Sequence, residues 1–342
     1  MRILYGVSGE GYGHSSRAMV LGKYLKSKGH DVILLTYGKA YKVLKRKFKT
    51  FKVKGLHFKT KKGVLDKFKT LEYNLKNFPK NLWRWKRFYK LLEKFKPELC
   101  ISDMEPIVPI LAFWNKVPLI SFDNQHRLTN LKFEIPKEYK SDFVLAREIV
   151  NAIVRRARYF IITSFVNMKK IKDNTIIVPP IIREDIRKLK LKKEDKVLVY
   201  FHYKRPNYLR VLRKINENFV IYGYDKNKKK DNLEFRKREH FLKDLSRCKA
   251  IIGNSGFTLI SEAIYLKKPY LAVPLQGQFE QVLNALFLKK SGFGTYTEDF
   301  SEKEVLDFLN NLGKYKKKLK NFKCDYNKLF KVFDKILRDF KY

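Results

Sequence analysis

Short apolar runs alternate with longer amphipathic segments along the chain. This alternation predicts an α/β fold, in which helices cover both faces of a mostly parallel sheet. The short runs are continuously apolar, as is typical of parallel strands that are buried on both faces. They predict strands at Arg2–Val7, Asp31–Thr36, Leu99–Ser102, Leu119–Phe122, Tyr159–Thr163, Thr175–Val178, Lys196–Phe201, Asn218–Tyr222, Ala250–Gly253 and Tyr270–Val273.

The pattern divides into two doubly wound, Rossmann-like domains. The boundary is expected at Pro179-Pro180, because two adjacent prolines continue neither a helix nor a strand. Apolar residues at helical spacing predict helices at Ser15–Ser27, Thr258–Leu266 and Gln281–Lys290. The expected parts of the chain are a first domain over residues 1–180, a second over 181–324, and an amphipathic helix over 325–342 that packs back toward the first domain.

A glycine-rich loop, Gly9-Glu10-Gly11-Tyr12-Gly13-His14, joins the first predicted strand to the first predicted helix. Glycines here allow a tight turn and let a ligand approach backbone N–H groups at the helix end. The last glycine of the dinucleotide fingerprint is missing, so the loop matches a nicotinamide site only weakly. His14 is a candidate general base, since an imidazole exchanges a proton near neutral pH. The alternative is a histidine that only caps or packs at the start of the helix.

Asp103 is the candidate partner of His14. It follows the strand Leu99–Ser102 at the C-terminal edge of the sheet, where α/β proteins bind ligands. A carboxylate there would orient the imidazole and stabilise its protonated form. Alternatively, Asp103 belongs to a turn before Pro106. A less favoured alternative is that Asp103 and Glu105 bind a divalent metal; we expect no metal.

A second loop, Gly253-Asn254-Ser255-Gly256-Phe257-Thr258, also connects a strand to a helix. Its hydroxyls and backbone N–H groups suit a phosphate at the helix N-terminus. Glu262 lies one helical turn further on, where its carboxylate would accept both hydroxyls of a ribose; the alternative is an ordinary solvent-facing glutamate. Amides and a carboxylate that suit sugar hydroxyls follow the next strand, at Gln276, Gln278, Glu280, Gln281 and Asn284.

The chain is strongly basic, with 76 Lys and Arg against 34 Asp and Glu and a formal net charge of +42. Residues 39–96 combine many Lys and Arg with the aromatic residues Phe48, Phe51, Phe58, Phe68, Trp83, Trp85, Phe88 and Phe95. Such a segment suits an anionic membrane surface. A solvated basic face over an ordinary aromatic core is an equal alternative. The charge also fits a nucleic-acid-binding protein, but no helix-turn-helix, RRM or zinc pattern accompanies it.

The expected localisation is the cytoplasm. The cysteines Cys100, Cys248 and Cys324 are widely separated and form no CxxC pair, which indicates reduced thiols. The apolar run at the N-terminus is too short for a signal peptide, and no run approaches the roughly 18 apolar residues of a membrane span. Peripheral attachment to the inner face of the membrane is the hypothesis that the basic segment adds.

Together, the loops resemble those of the two-domain GT-B glycosyltransferases, in the branch of MurG-type N-acetylglucosaminyltransferases and UDP-glycosyltransferases. The resemblance spans most of the chain and is strongest over Gly253–Gly294. There, residues 254–258, Ser261-Glu262-Ala263, Lys268-Pro269, Val273-Pro274 and residues 278–285 follow the family's order. The segment Gly9–Arg17 is moderately specific. The chain departs from the family after the strand Lys196–Phe201, where His202-Tyr203-Lys204-Arg205-Pro206 replaces a Gly- or Ser-rich phosphate loop.

The resemblance implies an interdomain cleft, a C-terminal crossover helix and an inverting glycosyltransferase. The enzyme would move a sugar from a nucleotide diphosphate donor, inferred to be UDP-linked, to an acceptor hydroxyl, with no metal or other cofactor. His14 would be the base, with Asp103 as its partner, and Gly11, Gly13 and Arg17 would belong to the acceptor-side loop. The donor would be bound by Asn254, Ser255, Gly256, Phe257, Thr258, Glu262, Gln278, Glu280 and Gln281.

The acceptor is less defined than the donor. The basic segment suggests a lipid-linked acceptor as a hypothesis. Two alternative functions stay open on the sequence: a nucleic-acid-binding protein, and a nucleotide-sugar epimerase of the same fold, which would turn over the donor with no acceptor present.

Overall fold

The computed structural model describes residues 1–10, 12–55, 60–61, 64–65, 72, 88–192, 194–201 and 203–340. The chain divides into two compact units. The first comprises Met1–Ile181 together with Asp325–Tyr342, and the second comprises Ile182–Cys324. The chain thus passes from one unit to the other directly after Pro179-Pro180.

Eleven strands are present in the described part of the first unit. They are β1 (Arg2–Val7), β2 (Asp31–Thr36), β3 (Lys49–Lys52), β4 (Thr60–Lys61), β5 (Val64–Leu65), β6 (Leu99–Asp103), β7 (Leu119–Asp123), β8 (Leu131–Lys132), β9 (Tyr159–Thr163), β10 (Lys169–Lys170) and β11 (Thr175–Val178). Seven of them form one parallel sheet in the order β11-β9-β7-β6-β1-β2-β3. The pairs β4–β5 and β8–β10 are antiparallel ribbons.

The order of the strands creates a ligand-binding position in this sheet. From β1 the chain moves outward through β2 and β3, and it then returns to β6 and continues in the other direction. In doubly wound sheets the connections diverge at such a point, which leaves a crevice at the carboxyl ends of the two central strands. In the first unit these strands are β1 and β6.

The helices of the first unit cover a core that the C-terminal segment completes. They span Gly13–Ser27, Gly38–Leu44, Ile107–Trp114, Arg127–Asn130, Lys140–Ile153 and Lys328–Asp339, and residues 88–95 are also helical. Leu329, Phe333, Ile336 and Leu337 of the last helix are buried in the same cluster as the strand residues. Phe333 packs edge-on against Phe122 of β7, with ring centroids 5.6 Å apart.

The second unit repeats this arrangement. Its strands are β12 (Val197–Tyr200), β13 (Phe219–Tyr222), β14 (Lys228–Lys230), β15 (Leu233–Phe235), β16 (Ala250–Asn254), β17 (Tyr270–Val273) and β18 (Gly294–Tyr296). Their order is β14-β15-β13-β12-β16-β17-β18, with only the edge strand β14 antiparallel. Its helices span Glu184–Arg187, Pro206–Arg213, Phe241–Arg247, Phe257–Tyr265, Phe279–Ser291, Glu302–Asn310 and Leu312–Asn321.

Both units are therefore doubly wound α/β domains, and the predicted fold class is confirmed. In the second unit the connections diverge between β12 and β16. The loop Gly253–Thr258 begins at the carboxyl end of β16, so it lies at the position where this type of sheet binds ligands.

Candidate active site

The structure brings together two predicted residues of the first unit. β1 leads into the loop before the helix Gly13–Ser27, and β6 ends at Asp103, which lies opposite Val7 in the parallel register. Nδ1 of His14, in the first turn of this helix, lies 2.7 Å from Oδ1 of Asp103. Asp103 is fully buried as the last residue of a strand. The hydrogen bonds of its carboxylate within the described residues go to His14 and Arg17 and not to the turn before Pro106.

Arg17 neutralises the buried carboxylate of Asp103. It follows His14 by three residues, so the two side chains share one face of the helix. Its Nε donates to Oδ2 of Asp103 at 3.0 Å and its Nη2 donates to Oδ1 at 2.7 Å, while Nη1 donates to Oδ1 of Asn124 at 2.8 Å. Burial lowers the pKa of Arg17, but Asp103 outweighs this effect and raises that pKa above its ordinary value. Arg17 therefore stays charged beside the carboxylate.

The hydrogen bonds of Asp103 determine which nitrogen of His14 carries a proton. Asp103 accepts two hydrogen bonds from a guanidinium, which is only a donor, so its oxygens are acceptors toward His14 as well. Nδ1 of His14 lies 2.7 Å from Oδ1 of Asp103, which accepts, and 3.0 Å from Nη2 of Arg17, which only donates. The carboxylate oxygen is the nearer of the two, and Nη2 already donates to it, so we assign Nδ1 as the donor to Asp103. In the neutral imidazole this leaves the lone pair on Nε2. The side chain of His14 is 13% exposed, so Nε2 is the nitrogen that can take a proton from a ligand.

A second carboxylate–imidazole pair, which the sequence analysis missed, lies at the end of β7. Nδ1 of His126 is 2.7 Å from Oδ2 of Asp123, and Nε2 is 3.0 Å from the carbonyl oxygen of Val154. Both ring nitrogens of His126 are therefore occupied by groups of the fold. Burial raises the pKa of Asp123, but His126 outweighs it and lowers that pKa to about 2. Each side chain is 1% exposed, so this pair stabilises the fold and does not reach a ligand.

Glu105 caps a helix and does not join Asp103 in a metal site. Its carboxylate accepts the backbone N–H groups of Ile107 at 3.1 Å and Val108 at 2.9 Å. Burial raises the pKa of Glu105 to about 7, and these two N–H groups lower it by less. Among the residues that the structure describes, no three His, Cys, Asp or Glu side chains are grouped as metal ligands.

Three hydrogen bonds fix the loop after β16 in the second unit. Oη of Tyr270 donates to the carbonyl oxygen of Asn254 at 2.7 Å, and Nδ2 of Asn254 donates to the carbonyl oxygen of Val273 at 3.1 Å. Nδ2 of Asn284 donates to the carbonyl oxygen of Ser255 at 2.8 Å. The predicted donor residues Asn254 and Ser255 are therefore held in one backbone conformation before any ligand binds.

The hydroxyl of Ser255 is buried, and it has no hydrogen-bond partner among the described residues. A buried hydroxyl without a hydrogen-bond partner lowers the stability of the fold by about 1–3 kcal/mol, so such groups normally have a partner. It lies just before the helix Phe257–Tyr265, where a Cβ added to Gly256 would meet nothing within 4 Å. Phe257 is buried and Thr258 is half-buried in the first turn. The space, the hydroxyl and the helix N-terminus together suit an anion.

Glu262 is buried and paired with an arginine that the sequence analysis did not identify. Nε of Arg183 donates to Oε1 of Glu262 at 2.7 Å, and Nη2 donates to Oε2 at 3.1 Å. The Glu262 side chain is only 2% exposed, so the alternative of a solvent-facing glutamate is wrong. Burial raises the pKa of Glu262, and Arg183 lowers it by less.

The predicted sugar-binding residues Gln278, Glu280 and Gln281 are half-buried around the start of the helix that follows β17. Oε1 of Gln281 accepts the backbone N–H group of Leu275 at 3.1 Å, and its Nε2 donates to Oε1 of Gln278 at 2.8 Å. These amides brace the loop. Each amide group has four hydrogen-bonding positions, so both keep positions for a ligand.

The structure adds little on the predicted acceptor-side glycines and on the segment after β12. Gly11 lies outside the described residues, and Gly13 is the first residue of its helix. At the end of β12, where the family's phosphate loop is replaced, Lys204 is exposed and Arg205 lies 5.7 Å from the ring centroid of Tyr208.

The described part of the basic segment has an ordinary aromatic core. Phe48, Phe88 and Phe95 are buried, so for these three residues the expectation of an aromatic membrane-facing surface is wrong. Phe58, Phe68, Trp83 and Trp85 lie outside the described residues. No helix in the described part of the chain is long and apolar enough to cross a membrane.

A family model described as Glycosyl transferase family 1 matches residues 1–313. The chain belongs to this glycosyltransferase family. It is 24% identical over 343 residues to a glycosyltransferase of Methanosarcina acetivorans that is named as uncharacterized, with 90% of this chain and 88% of that protein covered. It is also 25% identical over 343 residues to the UDP-N-acetylglucosamine--N-acetylmuramyl-(pentapeptide) pyrophosphoryl-undecaprenol N-acetylglucosamine transferase of Clostridium botulinum, with 88% of each chain covered.

Solved structures share the fold of this glycosyltransferase. The crystal structure of glycosyltransferase VinC in complex with dTDP matches with a TM-score of 0.65 at 14% identity, over the whole length of both chains. The structural neighbours are GT-B glycosyltransferases, so the GT-B fold that the sequence resemblance implied is confirmed.

Two residues of the candidate sites, Asn124 and Arg183, escaped the sequence analysis, and so did Asp123 of the structural pair with His126. A signal existed for Asp123, because it follows an apolar strand just as Asp103 does. Asn124 and Arg183 gave no comparable signal. They act through partners that lie 107 and 79 positions away in the chain, and no local pattern indicates such distant pairs.

Glu105 makes the stability of the glycosyltransferase depend on pH. Its pKa is raised from 4.5 to about 7 in the fold, so between these values the folded protein holds a proton that the unfolded chain has lost. The free energy of unfolding therefore falls as pH rises through this window. We expect Glu105→Gln to remove this dependence, so that the variant gains about 3 kcal/mol relative to the wild type between pH 4.5 and pH 8.

Urea unfolding of both proteins across this range measures the difference. Tryptophan fluorescence is the appropriate probe, because Trp114 lies in the first unit, which contains Glu105, and the sequence has no tryptophan after residue 114. All other titrating groups are common to the two proteins, so their contributions cancel in the difference between the two free energies of unfolding. A stability difference that stays constant with pH would contradict the raised pKa.

Proposed function

We propose that this glycosyltransferase is an inverting, metal-independent enzyme that moves a sugar from a nucleotide diphosphate donor, which we infer to be a UDP-sugar, to an acceptor hydroxyl. The proposal assigns the base to the first unit and the donor to the second. One observation supports it above the others: Nδ1 of His14 lies 2.7 Å from Oδ1 of Asp103, an arrangement that leaves Nε2 of His14 to take a proton.

The proposed reaction is a single displacement. The acceptor hydroxyl gives its proton to Nε2 of His14 as its oxygen bonds to the anomeric carbon of the donor. The bond between that carbon and the diphosphate oxygen breaks, and its electron pair leaves with the nucleotide diphosphate. One displacement inverts the anomeric centre. Asp103 stabilises the imidazolium that forms, in the way that carboxylates assist histidine bases generally.

The second unit supplies groups suited to the leaving group. The charge that develops on the diphosphate would be stabilised by the N-terminus of the helix Phe257–Tyr265 and by the hydroxyls of Ser255 and Thr258. Glu262 would accept the ribose hydroxyls, and the side chains of Gln278, Glu280 and Gln281 would contact the sugar. The name of the Clostridium botulinum relative includes UDP-N-acetylglucosamine, and VinC was solved with dTDP. Both support a nucleotide diphosphate donor.

A lipid-linked acceptor extends this proposal. It rests on the charge of residues 39–96, which contain 21 Lys and Arg and three acidic residues. A segment of this charge is attracted to an anionic membrane surface, where a lipid-linked acceptor would be found.

The first prediction of the proposed function compares two buried imidazole–carboxylate pairs of equal length. We expect His14→Gln to lower turnover by about a hundredfold to ten-thousandfold, because the base is lost, and to leave the donor Kd unchanged. Turnover is measured as nucleotide diphosphate released from a UDP-sugar, with water or an added alcohol as the nucleophile. The donor is found beforehand in a thermal-shift screen of nucleotide sugars.

His126→Gln is the matched control for this variant. It breaks a pair that is also 2.7 Å long but is enclosed by the fold, so we expect lost stability, of about 3–5 kcal/mol, and nearly unchanged turnover per folded molecule. A His14→Gln enzyme that retains full turnover would rule out His14 as the base.

The second prediction concerns the unpaired hydroxyl of the donor loop. Ser255→Ala removes a buried hydroxyl that bonds to nothing in the described chain, so it should leave the fold as stable as before or more stable by up to about 1 kcal/mol. It should also weaken the binding of UDP by about tenfold, because one hydrogen bond to the diphosphate is lost. Calorimetric titration measures the Kd.

Ser261→Ala is the control in the same helix. The hydroxyl of Ser261 is buried but donates to the carbonyl oxygen of Phe257 at 2.7 Å, so its removal should alter stability and not affinity. Equal UDP affinity in Ser255→Ala and in the wild type would exclude the proposed role of this hydroxyl.

The third prediction tests the membrane hypothesis. Sedimentation with vesicles should show binding to anionic lipid and not to neutral lipid, with the binding lost at high salt. Lys90 and Lys94 are exposed in the basic segment, so the double variant Lys90→Glu/Lys94→Glu should weaken binding by about thirtyfold or more, since each lysine removed costs about 1 kcal/mol. Lys228→Glu/Lys230→Glu, on the exposed edge strand of the second unit, is the control of equal charge. Equal, negligible binding to both kinds of vesicle would end the hypothesis.

A further inference from the structure

Arg183 makes a two-point contact with the donor-site carboxylate of Glu262. It is the second residue of the second unit and directly precedes the helix Glu184–Arg187. Its Nε and Nη2 atoms donate to the two oxygens of Glu262, at 2.7 and 3.1 Å. A planar guanidinium that donates to both oxygens fixes the plane of a carboxylate as well as its position.

The environment of Glu262 requires this partner. The Glu262 side chain is 2% exposed, whereas that of Arg183 is 30% exposed, so the carboxylate lies deeper than its counter-ion. The other charged group that acts on Glu262 is Asp185, whose Oδ2 lies 3.6 Å from Nη1 of Arg183. Since Asp185 repels the carboxylate, Arg183 is the charge that favours the ionised form of Glu262.

The same contact leaves part of the carboxylate unoccupied. An ionised carboxylate offers about four lone-pair positions, and Arg183 uses two of them. Two remain, which is the number that the vicinal hydroxyls of a ribose need as donors. A neutral or rotated Glu262 would lose one or both of these acceptor positions.

We propose that Arg183 is a positioning residue of the donor site, which holds Glu262 ionised and oriented so that it accepts both hydroxyls of the donor ribose. This inference rests on the function proposed above, since it requires a nucleotide donor in the second unit. Arg183 acts through Glu262, so its effect depends on the ribose hydroxyls. A purely structural arginine would affect the fold and would be indifferent to the sugar of the nucleotide.

The experiment compares two ligands and four proteins. UDP and 2′-deoxyuridine 5′-diphosphate differ only in one ribose hydroxyl. Calorimetry measures the Kd of each ligand for the wild type and for Arg183→Gln, Glu262→Gln and Arg247→Gln. Arg247 is the matched control, because its Nη1 pairs with Oε1 of Glu194 at 2.7 Å and its side chain is 28% exposed, close to the 30% of Arg183.

We expect Arg183→Gln to weaken UDP binding by about tenfold to a hundredfold, and Glu262→Gln to do the same. For the 2′-deoxy ligand the loss should be less than about threefold, because a hydroxyl on which Glu262 acts is missing. In Arg183→Gln the UDP affinity should also fall as pH is lowered, since burial then raises the pKa of Glu262 without opposition. Arg183→Lys should recover part of the affinity, because it restores the charge without the two-point contact.

Three results would overturn the inference. In the first, Arg183→Gln lowers stability as Arg247→Gln does but leaves the UDP affinity unchanged. In the second, it weakens both ligands equally, so that Arg183 acts without the ribose. In the third, it strengthens UDP binding, so that Arg183 competes with the ribose for Glu262.

Failure of the proposed function gives a different result. If the wild type binds neither ligand and no other nucleotide diphosphate, the second unit is not a nucleotide donor site. In that case Glu262→Gln and Arg183→Gln have no affinity to change. A wild type that binds UDP, combined with any of the three overturning results, leaves the donor site in place and removes only the role of Arg183.

Discussion

The buried carboxylate of Asp103 is the constraint on which the candidate site of the first unit depends. A carboxylate enclosed at the end of a parallel strand must be compensated by charge and hydrogen bonds, or it destabilises the fold by several kcal/mol. Arg17 supplies the charge and two of the hydrogen bonds, and His14 supplies a third. The requirement that stabilises the interior therefore also fixes the tautomer and orientation of the imidazole. Stability and the proposed chemistry have the same physical origin here.

The central strands were predictable because burial on both faces makes their sequences continuously apolar. Each of the ten predicted strands is present, with its ends within one residue of those observed. The strands that the sequence analysis missed are short or lie toward the sheet edges, such as β3 with the sequence Lys-Thr-Phe-Lys, the all-lysine β14 and the three-residue β18. An edge strand buries less surface, so its sequence need not be apolar, and its conformation is set by the neighbour with which it pairs.

The site was predictable to the extent that topology determines it. Glycine-marked loops after apolar strands indicated where the candidate sites lie, because carboxyl ends of parallel strands meet at one edge of the sheet. Which side chains pair with each other was harder to predict from the sequence. Glu262 looked like an ordinary helix glutamate, and only the fold shows that it is buried and that Arg183, 79 positions earlier, neutralises it. In the same way, nothing local distinguishes His14, which keeps one nitrogen for a ligand, from His126, whose two nitrogens are both used by the fold.

Both units hold a buried carboxylate in the same way, although the proposed role of that carboxylate differs between them. In each, a carboxylate near the ligand-binding edge is buried to 2% exposure or less and is held at both oxygens by an arginine. A lysine would supply the same charge at a single point, and the carboxylate could then rotate about its axis. The two-point contact removes that rotation before a ligand arrives, so less conformational entropy is lost when the ligand binds. In the first unit the fixed carboxylate directs an imidazole, and in the second it is itself the proposed acceptor for the ligand. Because the geometry is fixed by the interior of each unit, we expect the candidate site of each unit to be formed in the free enzyme.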